Sequence, residues 1–203
     1  MLNKIKEVET ELNYIDASWI RELTKRIVNH IPDYFFEIPA SSTGKYHPEY
    51  ATGYGGLLRH VKAACKLAKD ILSLESIGAK FDSELRDMIL AALLLHDACK
   101  SGYPNQSKYT MHDHPLLAAD LVRDSLEVML SEAELDDDTS AYNNIKTYID
   151  TVCELIESHM GEWNVNRYSK TILPKPRSEA AAFVHMIDYL ASRKYITVVL
   201  HEQ

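Results

Sequence analysis

A histidine and an aspartate stand at the end of an apolar run: Ile89 to Leu95 is unbroken, and His96-Asp97-Ala98-Cys99-Lys100 follows at once. A run this short reads as a buried core helix, because a membrane span takes roughly 20 apolar residues. The two polar residues at its end are therefore expected to be at least partly buried. A buried carboxylate without a partner is strongly destabilising. A divalent cation is an economical partner for an imidazole beside a carboxylate. The same stretch also fits a plain helix C-terminus, with His96 capping carbonyls and Asp97 in water. The other histidines bear on that choice.

Four well-separated helical segments each offer a metal-type ligand at a core-facing position or a helix end: His60, His96 with Asp97, His159, and Asp188. A helix start adds His114, with His112 as the competing candidate. Imidazole plus carboxylate suits manganese, iron, cobalt, nickel or zinc, and suits magnesium less well. Six ligands are too many for one metal with open positions. They fit two metals bridged by Asp97, and paired ions about 3.5–4 Å apart activate a water while clamping the oxygens of an in-line displacement.

Helical periodicity places these residues. Residues 3–14 read as a short charged helix, a surface or oligomer-contact element compatible with a homo-oligomer. Asp16 or Ser18 caps a second helix to about His30, with Ile20, Leu23, Ile27 and Ile31 on one face. Tyr34-Phe35-Phe36 supply packing. Residues 38–56, rich in Gly, Pro and Ser, form a long loop of the kind that is often functional. Leu57 to Leu74 is amphipathic, with His60 in its first turn. Asp82 or Ser83 opens the central helix, which is expected to run to about Cys99. Pro115 fits a first helical position and makes His114 an N-cap of a helix over 116–130. Residues 131–140, with Asp136-Asp137-Asp138, read as an acidic turn. Ile145, Ile149, Val152, Ile156 and His159 share a face, and Gly161 is a C-terminal cap. A second polar loop spans 162–177 and carries Trp163, Asn164, Arg167, Lys170, Lys175 and Arg177. Ser178 opens a last helix to about Leu200, where Asp188 is an acid among apolar neighbours. No run alternates convincingly as a strand, so the chain reads as all-α.

At these residues the sequence resembles the HD-domain superfamily of metal-dependent phosphohydrolases. The match is the ordered series His60 in GGLLRH, His96-Asp97 in LLLHDACK, His114 in HPLLAADL, His159 in IESHMG and Asp188 in HMIDYLASR. The resemblance covers about residues 34–195, and 1–203 is expected to be a single HD domain with helices in 1–33 packed on that core. It implies a helical bundle whose ligands converge in a central metal cleft. It also implies hydrolysis of a phosphomonoester or phosphodiester, commonly in a nucleotide, by a metal-activated hydroxide. Carried onto this chain, His60, His96, Asp97 and Asp188 hold one metal, and Asp97, His114 and His159 hold the second. The family often reads HD-x-Gly-Lys; here Cys99 stands at the glycine position and Lys100 is kept, as a cation for a substrate phosphate or leaving oxygen. Ser158 stands where some relatives carry an adjacent histidine, which argues against a third metal.

Lys45, His47, Arg59 and Lys62 are candidates for phosphate contact, Tyr46, Tyr50 and Tyr54 for stacking on a base, and Arg193 for either charge or packing. Each also fits an ordinary surface or core role. A net charge of −8 argues against duplex DNA as a partner. Cys65, Cys99 and Cys153 lie far apart, which reads as a reduced, cytoplasmic chain without a disulfide framework. The first residues have no apolar h-region, and no membrane span is expected. Two rival functions share the ligand set: a di-iron oxygenase of the myo-inositol-oxygenase type acting on a polyol or phosphonate, and a catalytically silent nucleotide-binding module.

Overall fold

The computed structural model describes residues 2–42 and 47–196. Among them there is no strand, and the chain is a bundle of α-helices joined by short 3-10 turns. The helices are α1 (Lys4–Glu7), α2 (Glu9–Leu12), α3 (Ser18–His30), α4 (Gly56–Leu72), α5 (Glu75–Gly78), α6 (Ser83–Leu95), α7 (His114–Leu135), α8 (Thr139–Glu157) and α9 (Glu179–Ala191). None is long and apolar enough to cross a membrane.

The organising helix is α6. Every residue from Asp87 to Leu95 is buried, and α3, α4, α8 and α9 all pack against it. A helix that is apolar all round must be enclosed on every side, and its sequence demands that enclosure. Asp82 caps its start by accepting from the Leu85 amide (2.8 Å). The helix stops at Leu95 rather than reaching Cys99. From there the hydrogen bonds tighten to three-residue spacing, Ala98 N to Leu95 O (2.9 Å) and Lys100 N to Asp97 O (3.1 Å). Successive side chains diverge by about 100° in an α-helix and by about 120° in a 3-10 turn, yet His96 and Asp97 both reach the cluster, His96 Nε2 lying 3.4 Å from Asp97 Oδ2.

Other boundaries shift in informative ways. The segment 3–14 is two short helices, broken at Val8, rather than one. The acidic turn shrinks to residues 136–138, because α7 runs on to Leu135 and Asp138 caps α8 through the Ala141 amide (2.9 Å). The last helix ends at Ala191, and residues 197–203, which include the expected end near Leu200, lie outside the described residues.

The start of α3 has no side-chain cap of its own. Asp87 of α6 supplies one from far away in sequence, accepting from the amides of Asp16 (3.1 Å) and Ala17 (2.7 Å). Thr24 and Tyr148, both fully buried, join α3 to α8 by a 2.8 Å hydroxyl contact. Asp87→Ala removes a buried carboxylate that satisfies two backbone donors. It is expected to lower unfolding free energy by about 2–4 kcal/mol in urea titration, with the N-terminal helices the first to lose protection in hydrogen exchange.

Candidate metal centre

Three helices and two turns bring the six sequence-predicted ligands together. His60 comes from the second turn of α4. His96 and Asp97 come from the turn after α6, His114 from the first residue of α7, His159 from the turn after α8, and Asp188 from α9. All are buried except Asp188, whose side chain is 21% exposed. Solvent therefore reaches the cluster from the Asp188 side.

Asp97 is the hub. Its Oδ1 lies 3.0 Å from His114 Nε2 and 3.9 Å from His159 Nε2; its Oδ2 lies 3.4 Å from His96 Nε2 and 3.6 Å from His60 Nε2. Asp188 Oδ1 closes the other side, 3.0 Å from His60 Nε2 and 3.4 Å from His96 Nε2. His114 and His159 meet Nε2 to Nε2 at 3.3 Å. Three sets of donor atoms fall within 4.8 Å of one another: His60, His96 and Asp97; His96, His159 and Asp188; and Asp97, His114 and His159. Ligands about 2.1 Å from a shared ion at right angles are about 3.0 Å apart, so this spacing fits coordination. His112 is in none of these sets, which singles out His114 of the pair.

Hydrogen bonding shows how the histidines are prepared. The Nδ1 atoms of His96, His114 and His159 lie 2.8, 2.7 and 2.7 Å from the carbonyls of Leu93, Met111 and Ile156, each three residues back. A carbonyl only accepts, so each Nδ1 carries a proton, and in its neutral form each ring presents an Nε2 lone pair to the cluster. Those lone pairs face each other and two carboxylates. His96 Nε2 and Asp97 Oδ1 are buried and make no well-aligned hydrogen bond. Lys100 donates to Asp97 Oδ2 and His60 Nε2 lies 3.0 Å from Asp188 Oδ1, but the acceptors outnumber the donors, and a buried excess of acceptors is unfavourable unless a cation fills it. The donor set thus fits a divalent transition metal.

Electrostatics agree. Burial works against ionising Asp97, but Lys100, His96 and His114 override it and hold its carboxyl well below the usual range. Burial likewise opposes charge on Asp188, and the adjoining His60 and His96 rings outweigh it and hold its carboxyl well below the usual range. For His96 burial favours the neutral ring, yet Asp97 and Asp188 raise its pKa. His159 goes the other way: burial, helped by His96 and His114, lowers it to about 3.

These shifts set the acid response. An unfolded chain protonates His159 near the ordinary 6.5, while the folded chain keeps it neutral to about 3. The stability it confers is therefore complete above 6.5 and is lost as pH falls from 6.5 towards 3. Asp97 and Asp188, also depressed, lose their contribution over the more acidic carboxylate range. His96, with a raised pKa, opposes them: its contribution is present below the unfolded value and fades as pH rises through the folded one. The chelated protein is expected to show a urea midpoint that falls steadily on acidification below about pH 6.5, with His159→Gln flattening that slope.

The substrate-side candidates separate. Lys100 pairs with Asp97 Oδ2 and is largely buried. Its following turn is pinned by Tyr34, whose hydroxyl donates to the Gly102 carbonyl (2.8 Å) and accepts from the Ser101 amide (3.2 Å). His47 packs edge-on against His60, ring centres 4.9 Å apart, with Nδ1 buried and unpartnered. Burial, with His60 and Lys100, lowers its pKa to about 3. Arg59 instead clamps the turn before α4, donating to the carbonyls of Tyr50 (2.6 Å) and Thr52 (2.9 Å). The charge of Lys62 acts on the buried carboxyl of Glu11 in α2. Tyr50 donates to the Ala191 carbonyl (2.8 Å), Tyr54 is exposed, and Arg193 lies over the Tyr189 ring at 4.2 Å. Lys45 and Tyr46 lie outside the described residues. Cys99 is buried and its thiol is pushed up to about 12, so it is not a nucleophile at neutral pH.

Sequence reasoning missed two features of the site, the repeated Nδ1-to-carbonyl bonds and the Tyr34 pin; His185, three residues before Asp188, reads in the sequence as an orienting or packing residue in preference to a ligand. It lies 2.7 Å through Nδ1 from the His159 carbonyl. Its ring also fills the space where Gly161, at φ +55°, would carry a Cβ, 2.3 Å from that position.

An all-helical bundle closing on buried imidazoles and carboxylates defines a class of metal-site protein. The chain belongs to the HD domain family, whose model matches residues 57–193. Members of that superfamily are in general metal-dependent hydrolases. No curated protein and no solved structure gives a significant match.

Proposed function

We propose that this HD domain is a cytoplasmic phosphohydrolase that cleaves a phosphomonoester or phosphodiester, in a nucleotide-type substrate, at a two-metal centre. The observation that carries the reading is the convergence on Asp97 of the Nε2 atoms of His96, His114 and His159, each ring held by a backbone carbonyl at Nδ1. In this reading His60, His96, Asp97 and Asp188 hold one ion, Asp97, His114 and His159 hold the other, and residues 1–203 act as one domain. Two divalent ions, when bound, supply an acidified water and neutralise charge on phosphate oxygens.

The chain's own residues do the rest. Asp97 and Asp188 stay ionised in the working pH range, which keeps ligand charge constant. The backbone carbonyls behind three histidines fix their tautomer and aim. Lys100, held over Asp97 by the Tyr34-pinned turn, is the ammonium nearest the hub and is placed to meet a phosphoryl oxygen or leaving oxygen. His47, neutral and beside His60, offers a ring nitrogen to the same oxygens. The edge near Asp188 is the open side through which a phosphate reaches them.

Lys100→Ala is expected to lower kcat/KM by about 100-fold while metal content is unchanged, because it removes a cation that acts on developing charge rather than a ligand. A panel of mono-, cyclic and dinucleotides with manganese, read as phosphate or nucleoside release, tests the whole reading. Strict dependence on iron and dioxygen would overturn it in favour of an oxygenase. Tight nucleotide binding without product would overturn it in favour of a silent regulatory module.

A further inference from the structure

The segment 162–177 leaves the metal cluster as an anchored cationic arm. It starts three residues after His159, just beyond the left-handed turn at Gly161. Its base is fixed by a reciprocal pair: Asn164 Nδ2 donates to the Leu173 carbonyl (3.0 Å), and the Leu173 amide donates to the Asn164 carbonyl (2.9 Å). Both residues are buried. The chain between them has local order, with Asn166 Oδ1 accepting from the Tyr168 amide (2.8 Å) and Ser169 Oγ from the Thr171 amide (3.1 Å).

The arm's composition is unlike that of the chain. Arg167, Lys170, Lys175 and Arg177 against Glu162 give it a net +3, in a protein of net −8. All four cations are exposed, and among the described residues none has a carboxylate at ion-pair distance. Lys175 and Arg177 border a cavity of about 370 Å³ that also contains Asp150 and Glu154, so Arg167 and Lys170 are the cations freest of acidic neighbours. Tyr168 is 81% exposed and carries the Arg167 guanidinium 4.5 Å above its ring; Ile172 is 72% exposed.

An aromatic path runs from this arm to the metal ligands. Trp163, 48% exposed, stacks on Tyr189 with ring centres 5.6 Å apart and planes 5° from parallel. Tyr189 is the neighbour of Asp188, the ligand that solvent reaches. Arg193 also packs on the Tyr189 ring.

We propose that residues 162–177, with Tyr189 and Arg193, bind single-stranded nucleic acid and lead its terminal phosphoester to the metal centre. The second half of this statement rests on the phosphohydrolase reading; the binding itself does not. The exposed rings of Tyr168 and Trp163, beside cations that have no carboxylate partner among the described residues, suit a strand whose bases are free to stack. A duplex hides its base faces, and an acidic peptide would meet the cations but leave the aromatics unused. The acidic remainder of the surface repels a polyanion and confines it to the arm.

The test is fluorescence anisotropy of fluorescein-labelled twelve-nucleotide oligo-dT and oligo-U with the full chain in excess EDTA, where no turnover interferes. Binding of either strand supports the proposal, and the difference between them identifies the preferred sugar. With two to four phosphates neutralised, the slope of log K against log salt is expected to lie between about −1.4 and −2.8. R167A/K170A is expected to weaken binding about tenfold and flatten that slope, and Tyr168→Ala to weaken it by about 5- to 100-fold. Circular dichroism checks that both variants are folded. Hydrolysis of p-nitrophenyl phosphate by the two variants should match wild type, since none of the three residues touches the cluster.

Four results would overturn the proposal: no anisotropy change up to about 100 µM protein at low salt; a duplex bound as tightly as a single strand; variants indistinguishable from wild type; or oligoglutamate competing as well as the oligonucleotide, which would assign the arm to an acidic protein segment. Binding that fails while p-nitrophenyl phosphate is still hydrolysed sinks the arm alone. Binding that survives in a protein without hydrolase activity sinks the phosphohydrolase reading alone.

Discussion

Asp97→Asn is expected to leave a folded protein that loses both metals and at least about 1,000-fold in kcat/KM, equivalent to about 4 kcal/mol of transition-state stabilisation. The size follows from position. Asp97 belongs to two of the three candidate ligand sets, one containing His60 and His96, the other His114 and His159. Its two oxygens face different imidazoles, so one substitution disables both halves. Asparagine keeps the shape but removes the charge, and its amide group presents N–H donors to imidazole nitrogens that already present lone pairs. Lys100 loses its carboxylate partner at the same time. Elemental analysis of protein purified without chelator, beside a phosphate-release assay, measures both losses. Full metal content in Asp97→Asn would remove Asp97 as the bridge.

The second large effect is structural and lies at Gly56, the first residue of α4 and one turn before His60. A Cβ there would sit 2.4 Å from the Ala51 carbonyl oxygen, 2.7 Å from its carbon and 3.0 Å from the Pro39 Cα. All three are backbone atoms and cannot rotate away. The segments they belong to are tied together: Ala40 N to Ala51 O (3.1 Å), Gly55 N to Glu37 O (2.8 Å) and Leu57 N to Ile38 O (2.9 Å). Gly56→Ala must spread this clamp, breaking at least one of those bonds and displacing the start of α4. A loss of about 2–4 kcal/mol in unfolding free energy is expected. Because His60 moves with the helix, metal affinity should fall with stability, while Asp87→Ala, at the opposite end of α6, should cost stability alone. Urea titration and metal titration on both variants separate the two effects.

Much of the site could be read in the sequence because its polar residues interrupt apolar patterns. His96 and Asp97 end the most enclosed helix, and His60 and Asp188 sit on otherwise apolar faces. The all-α character followed from the same periodicities. What the sequence did not disclose depends on contacts between distant segments. Asp87 reads as an ordinary acid near a helix start, yet it caps a turn formed by Asp16 and Ala17. Tyr34 reads as packing, yet its hydroxyl orders the turn after Lys100. Arg59 reads as a cation beside a ligand, yet backbone carbonyls engage two of its nitrogens. The helix α6 ends earlier than its sequence implies, because Ala98, Cys99 and Lys100 are all acceptable in a helix. The turn there is held by contacts from a distant segment, Tyr34 with Ser101 and Gly102, which local propensity does not carry.

The most direct test of the account is an anomalous difference map from crystals of the full chain grown with manganese, collected at wavelengths on either side of its absorption edge. The account predicts two peaks about 3.5–4 Å apart, bridged by Asp97, one among His60, His96 and Asp188 and the other beside His114 and His159. A map with no peak there, or with Asp188 or His60 turned away from a lone ion, would contradict it.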